Sequence, residues 1–443
     1  MLTFQSHATV GTGLLERIAD ARQRSDALFS IVRPASMYDR PIPERHRIIF
    51  YVGHLEAFDW NLLYESVFGL KSFHPEFDKL FAFGIDPVDG GLPSDQPSDW
   101  PSLESVREYV SRIRLALDAR LGRMQEGNID ANDALSLDKL LNVAIEHRLM
   151  HVETLAYMLH QLPLDRKVRQ ASPPDPPTDS VDHGMVEIPE GIATLGLESR
   201  SEKFGWDNEF EGHAAHVPAF EIDRYPVTNG KYLDFIAARG YEGRDLWTED
   251  DWNWKSEQGI SHPAFWRRTS DGWLLRTMFD DIPLPPDWPV YVSQAEASAY
   301  ARWAGTKLPT EEQWHRAAYG TADGRERTYP WGEAAPTAKL GNFDFQRWDP
   351  APVNAFPQGQ SAFGVRDLLG NGWEWTSSKF SPFAGFEPFP FYPGYSANFF
   401  DGKHFVMKGG SARTAACMLR PTFRNWFQPH YQYVYAGFRC VRN

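Results

Sequence analysis

The sequence predicts an α+β protein: an N-terminal four-helix bundle over residues 1–162, a proline-rich linker over 163–184, and a C-terminal domain of short strands and loops over 185–443. Three observations predict this. Apolar residues recur at three- and four-residue steps as far as Leu162, the helical period. Pro163, Pro173, Pro174, Pro176 and Pro177 then follow among serines and aspartates, the composition of an extended linker. Beyond Met185 the helical period largely disappears. Most of the 16 tryptophans lie beyond Trp206, which points to a domain built on aromatic and loop packing.

The bundle helices are read in order. The first runs from about Gly11 to Ile31 and the second from about Glu44 to Phe68. A third follows Ser102, with Leu103, Val106, Val110, Ile113, Leu117 and Leu121 on one face. The fourth carries Leu140, Ala144, Leu155 and Met158 on its inward stripe and stops before Pro163. Between the second and third helices, about Lys71 to Pro101 reads as a long loop rich in glycine, proline and aspartate. Loops of that length are uncommon unless functional, so it is expected to cover the bundle mouth. In the second domain, Met185–Pro189 reads as a short strand. Thr310 and Gln313 form a capping box that opens a helix. There is no internal repeat and no glycine signature of a Rossmann or P-loop nucleotide site.

Composition narrows the function classes. The 443-residue chain carries a formal charge of −14 and no basic run, which argues against nucleic acid and anionic membranes as partners. No stretch approaches 18 consecutive apolar residues, so no span is expected. Met1–Asp26 is amphipathic and lacks the apolar core of a signal peptide. Only Cys417 and Cys440 occur, which fits a reducing cytoplasm, so a cytoplasmic location is expected and a disulfide framework is not.

The chemistry begins with His147 and His151. Their i, i+4 spacing puts both imidazoles on the inward face of the fourth helix. Buried imidazoles must be hydrogen-bonded or hold a metal. A third histidine, His54, shares a face with Phe50, Tyr51 and Phe58 on the second helix and follows Gly53. A glycine inside a helix costs about 1 kcal/mol against alanine, so Gly53 is expected to permit a close helix approach. His54 also reads as a hydrogen-bonded core histidine. Three neutral nitrogens without a thiolate suit either zinc with a bound water or non-haem Fe(II) with open positions. Glu146 and Glu153 flank the pair and could orient the rings, with Glu146 the better match to a solvent-facing helix charge.

The second half resembles the formylglycine-generating-enzyme/sulfatase-modifying-factor fold, which is C-type-lectin-like. The matching runs are Phe220–Asn229 (FEIDRYPVTN), Leu308–Trp314 (LPTEEQW), Leu369–Thr376 (LGNGWEWT), Gly409–Ser411 and Gly437–Cys440 (GFRC). These are mostly scaffold residues and identify architecture, not chemistry. Formylglycine-forming members use a reactive cysteine pair. Here Cys440 falls at the structural GFRC position and Cys417 lacks a suitable partner, which argues against that activity.

The first half resembles the DinB-like bundle. The two together resemble the EgtB/SenA-type hercynine sulfoxide and selenoxide synthases of ergothioneine and selenoneine biosynthesis. The resemblance implies that His54, His147 and His151 bind catalytic Fe(II), with O2 as co-substrate, and that a chalcogen donor is joined to the imidazole of hercynine. It implies a catalytic tyrosine, Tyr392 or Tyr395, the other being a packing residue. It also implies substrate contacts at Arg424, Asn425, Trp426 and Phe427, and at Met150 before the last ligand, with the Asn425–Trp426 pair meeting hercynine and the indole face suiting a quaternary ammonium.

Departures from the family pattern bear on the donor. The loop over residues 88–96 holds no arginine, Phe427 stands where an aspartate is found in γ-glutamylcysteine users, and Met150 replaces a glutamine before the last ligand. A donor with two carboxylates would there meet acidic and apolar groups, so a neutral seleno- or thiosugar is favoured, pointing toward the selenoneine synthases, and free cysteine comes next. Two other classes remain open: a zinc-dependent thiol transferase of the DinB type, and a non-catalytic ligand-binding protein.

Overall fold

The computed structural model describes residues 12–65, 67–84, 91–125, 134–176, 180–201 and 203–443. The chain divides into two compact units after Gln170.

In the first unit, α1 (Thr12–Ser30) packs on α5 (Ala134–His160), and α2 (Ile48–Leu63) packs on α3 (Pro75–Phe83), α4 (Leu103–Gln125) and α5. Eleven of the sixteen residues of α2 are buried, Glu56 and Asp59 among them, which makes it the central helix. Charges at the centre of a bundle must be paired. Arg148 of α5 is buried and donates to Glu56 at 2.9 Å, Asp59 at 2.6 Å and the Leu55 carbonyl at 3.0 Å. Arg114 of α4 reaches the same Glu56 at 2.6 Å, and Arg22 of α1 pairs with Asp118 at 2.6 Å. One ion network thus ties four helices together.

Two expectations are corrected here. The stretch from Lys71 to Pro101 is not loop throughout, because α3 interrupts it. That helix has a local start signal, with Pro75 in its first turn and the His74 ring accepting from the Phe77 N–H. Glu146 does not face solvent; it is buried, because α5 is enclosed by α1 on one side and α2 on another.

The proline-rich segment is tied down on both flanks. Arg33 N–H donates to the Arg166 carbonyl at 3.0 Å and Val168 N–H to the Ile31 carbonyl at 2.6 Å. Further on, Arg347 donates to the Asp175 carboxylate at 2.5 Å.

The second unit is a set of small sheets with short helices between them. Its elements in order are β1 (Met185–Ile188), β2 (Gly191–Leu195), β3 (His213–Val217), β4 (Phe220–Asp223), α6 (Asn229–Ala237), α7 (Glu249–Glu257), β5 (Trp266–Thr269), β6 (Gly272–Arg276), β7 (Asp281–Pro283), α8 (Gln294–Trp303), α9 (Glu311–Tyr319), β8 (Gly372–Lys379), β9 (Phe405–Gly410), β10 (Asn425–Phe427), β11 (Ala436–Gly437) and β12 (Val441–Arg442). The sheets run β1-β4-β12, β10-β9-β8-β11, β2-β3 and β5-β6-β7. A core of Ile188, Phe220, Ile222, Trp314, Phe343, Leu368 and Leu419 lies among them. The capping box at Thr310 and Gln313 opens α9 as expected.

The motif residues of this unit meet in its interior, which explains why they recur as scaffold. Arg439 is fully buried and donates to both carboxylate oxygens of Glu374, at 2.7 and 2.5 Å. It also donates to the carbonyls of Asp223 and Arg366 at 3.0 Å each. Glu374 accepts the Trp314 indole N–H at 2.8 Å. Three motifs far apart in sequence therefore converge on one ion pair. β10 lies at the edge of its sheet, antiparallel to β9, with Trp426 opposite Val406. That register presents the Arg-Asn-Trp segment beside the turn-rich stretch from Ser381 to Phe400.

Candidate functional site

The bundle brings His54, His147 and His151 together. One ring nitrogen from each lies within 4.8 Å of the others, and among the described residues this is the one cluster of three or more potential ligands of this kind. His54 Nε2 and His151 Nε2 are 3.3 Å apart. A metal with nitrogen bonds of about 2.0–2.1 Å separates its ligands by about 3–3.5 Å, so this pair already has the spacing a shared ion requires. His54 Nδ1 donates to the Phe81 carbonyl at 2.6 Å. A carbonyl only accepts, so Nδ1 carries the proton and the Nε2 lone pair faces the other rings.

Aromatic walls hold the imidazoles. Phe58 stacks on His147 with centroids 3.4 Å apart and planes 10° from parallel, and Phe50 stacks on His54 at 4.7 Å. Burial pushes the His54 pKa down to about 4, against the Phe81 carbonyl, which raises it. His147 and His151 are held well below the ordinary histidine value, by burial first and then by neighbouring positive charge. All three are neutral near pH 7, the state that binds a metal. The residues fit a divalent cation with three neutral donors and positions left for other ligands.

Glu153 is buried on the same helix. The acceptor that orients His54, however, is a backbone carbonyl of α3. Met150, beside the last histidine, is half-buried.

In the second unit the structure gathers the remaining candidates. Tyr395 is buried, stacked on Trp206 at 4.0 Å and edge-on to Trp426 at 5.5 Å. Tyr392 is half-buried, 5.6 Å from Tyr395 between ring centroids. Burial, aided by the nearby Asp207 carboxyl, raises the Tyr392 phenol, which stays protonated at neutral pH. Trp426 is half-buried and lies parallel to Phe380 at 4.2 Å. Asn425 Oδ1 accepts the Trp426 N–H at 2.9 Å, and Phe427 stacks on Tyr431 at 4.9 Å.

Arg424 departs from its expected part as a substrate contact. It is buried and grips Glu311 at 3.0 and 3.1 Å while donating to the Ser381 and Asn208 carbonyls. Its donors face protein, which makes it the anchor of β10.

The donor loop also differs from expectation. Residues 88–90 lie outside the described residues, and 91–96 contain no arginine. Asp95, the acid in the described part, is not available to repel a ligand. It is buried and pairs with Arg40, with Arg47 Nε at 2.9 Å and with the Trp100 indole N–H at 2.7 Å. Burial works against its charge, but these donors hold its carboxyl below the usual range. Both arginines precede the loop by some 50 positions, so their pairing was invisible to motif reading. Phe81, Trp206 and Arg148 likewise carry no local signal of their roles, whereas Phe58 shares the His54 face in the sequence. Only α3 had a local signal, in the His74-Pro75 start.

Comparisons with known proteins agree with this architecture. Residues 17–155 match the DinB superfamily and residues 170–443 the sulfatase-modifying factor enzyme 1-like domain. The hercynine oxygenase of Mycolicibacterium thermoresistibile is 40% identical over 343 residues, covering 76% of this chain and 74% of that protein. The hercynine oxygenase of Mycobacterium tuberculosis is 44% identical over 250 residues, 56% of this chain and 58% of that protein. Ergothioneine biosynthesis protein 1 of Neurospora crassa is 29% identical over 492 residues, covering 92% of this chain but 55% of the fungal protein. With a DinB-type bundle followed by a sulfatase-modifying-factor-type domain, and with identity at this level over most of its length, the chain belongs to the hercynine oxygenase family of EgtB-type proteins.

Proposed function

We propose that this protein is an O2-dependent enzyme that holds Fe(II) through His54, His147 and His151 and joins a sulfur or selenium donor to the imidazole carbon of hercynine. The observation that supports it most is the neutral histidine triad, with His147 buried and His54 and His151 half-buried, in a chain of this family. Overall, the imidazole C–H and the donor S–H or Se–H give up two hydrogens and two bonds to hydrogen. One oxygen atom of O2 ends on the chalcogen and the other leaves as water. Iron(II), when bound, supplies open coordination positions for the donor and O2.

The chain's own residues supply the rest. The neutral histidines leave the ion its positive charge. Trp426 offers an indole to the trimethylammonium group, and Asn425 is assigned to the substrate carboxylate. Tyr392 is assigned the proton-holding role, because it is the less buried of the two tyrosines and its phenol remains protonated. Tyr395, under Trp206, is assigned to packing.

For the donor, a neutral seleno- or thiosugar is favoured. No arginine lies in residues 91–96 and Phe427 lies against Tyr431, so an α-amino-acid group would find few polar partners. Free cysteine is the next choice and γ-glutamylcysteine the least favoured.

The test is His147→Ala in the full chain, read by metal content and by aerobic turnover of hercynine with a panel of donors. Loss of most iron and of all product is expected. Retention of both would refute the triad, and turnover that survives without O2 in the zinc-loaded protein would indicate thiol transfer instead.

A further inference from the structure

We propose that α3 is a positioning element for the metal centre, acting through the Phe81 carbonyl on His54 and held in place by Asp78 and by the absence of a side chain at Gly53. The proposal rests on the reading of His54 as a ligand.

Phe81 lies in the last turn of α3, where helix carbonyls have no partner within the helix. The Phe81 oxygen is satisfied instead by His54 Nδ1–H at 2.6 Å. A single bond therefore caps the helix and selects the tautomer that turns Nε2 toward His151. A histidine ligand normally has its second nitrogen fixed in this way by a carboxylate, a carbonyl or water. Here the acceptor belongs to a helix of nine residues, too short to hold its own position.

Tertiary contacts hold it. Asp78 is buried and accepts from Tyr109 Oη of α4 at 2.6 Å, Ser72 Oγ at 2.5 Å and Trp60 Nε1 of α2 at 3.3 Å. Asn61 Nδ2 of α2 donates to the Asp78 carbonyl at 3.1 Å. Phe81 itself is fully buried, with Phe77 and Tyr109 rings 5.4 and 5.8 Å away.

Gly53 completes the arrangement. A Cβ there would sit 2.4 to 2.5 Å from three carbons of the Phe81 ring. The residue before His54 must therefore lack a side chain for α3 to come close enough for the Phe81 carbonyl to reach the imidazole. Glycine's propensity cost inside α2 has this local cause.

The test uses the full chain and Co(II) as the probe, with affinity from chelator competition and ligand geometry from the visible d–d bands. Asp78→Asn removes one acceptor. Gly53→Ala adds the Cβ that meets Phe81, and parental helical circular dichroism in both variants guards against a result that merely reports unfolding. Each is expected to weaken Co(II) binding at least about tenfold and to shift the d–d bands. In a His54→Ala background, neither should weaken the residual binding further. Parental affinity and spectrum in both variants would overturn the proposal, as would equal losses with and without His54. If the parent itself binds no Co(II), the triad reading fails and this proposal with it. If the parent binds and the variants are indifferent, only this proposal fails.

Discussion

Replacing Arg148 with methionine tests whether the buried ion network, and not apolar packing alone, holds the bundle together. Arg148 is fully buried and makes four hydrogen bonds, to Glu56, Asp59, the Leu55 carbonyl and Ser25 Oγ. Its carboxylate partners fare differently when it is removed. Glu56 keeps Arg114 at 2.6 Å and Arg22 at 3.8 Å. Asp59 pairs with Arg148 at 2.6 Å and is already raised above the ordinary carboxyl value by burial. Removing one member of a buried pair costs about 3–5 kcal/mol, because a charge is left in a poor solvent. Asp59 can escape part of that by taking a proton, which places the expected loss near 3 kcal/mol. At about 2–4 °C per kcal/mol for a unit of this size, the helical transition should fall by about 6–12 °C. Circular dichroism at 222 nm in the full chain follows it, since the long helices lie in the first unit. The loss should be smaller at pH 5 than at pH 8, where Asp59 must bind a proton against a higher pH. The double variant Arg148→Met, Asp59→Leu removes the stranded acid and should recover most of the lost stability. An unchanged transition in the single variant, or a double variant no better than the single, would refute the reasoning.

Trp426→Ala removes the indole assigned to the trimethylammonium group. Apparent affinity for hercynine should fall about tenfold, equivalent to about 1–2 kcal/mol, and an unchanged preference for hercynine over histidine would sink the assignment. In a competition of equal concentrations, read by mass spectrometry of the hercynine adduct, kcat/KM for a seleno- or thiosugar should exceed that for γ-glutamylcysteine by at least about a hundredfold. A mainly γ-glutamylcysteine adduct would reverse the donor order while leaving the triad untouched. Asp367 is buried, and burial raises its carboxyl to about 8, so the folded state binds a proton more tightly than the unfolded one. Its stabilising contribution is complete below the unfolded value and is lost as pH rises through about 8. Asp367→Asn, which can still accept from Asn371, should therefore lose less stability than the parent between pH 5 and pH 8; parallel pH profiles of thermal unfolding would contradict this.

The sequence by itself determined the four long helices of the bundle, the change of architecture after the prolines and the pairing of His147 with His151. Each of these follows from local periodicity: a 3.6-residue repeat places apolar residues on one face and brings residues i and i+4 together whatever surrounds them. The scaffold of the second unit was legible through its motif runs, because the Arg439–Glu374–Trp314 cluster demands those residue types. Tertiary structure decided the rest. His54 meets the pair only because α2 crosses α5, a relation that no spacing within one helix encodes. Nine residues opened by a proline, inside a stretch rich in turn formers, carry too little periodicity to mark α3, yet that helix orients a ligand. Glu146 was read as a surface charge because propensity cannot tell which sides of a helix will be covered. The roles of Arg424 and Asp95 have the same physical origin: what a charged side chain does depends on its partner, and Glu311, Arg40 and Arg47 are brought to them only by folding.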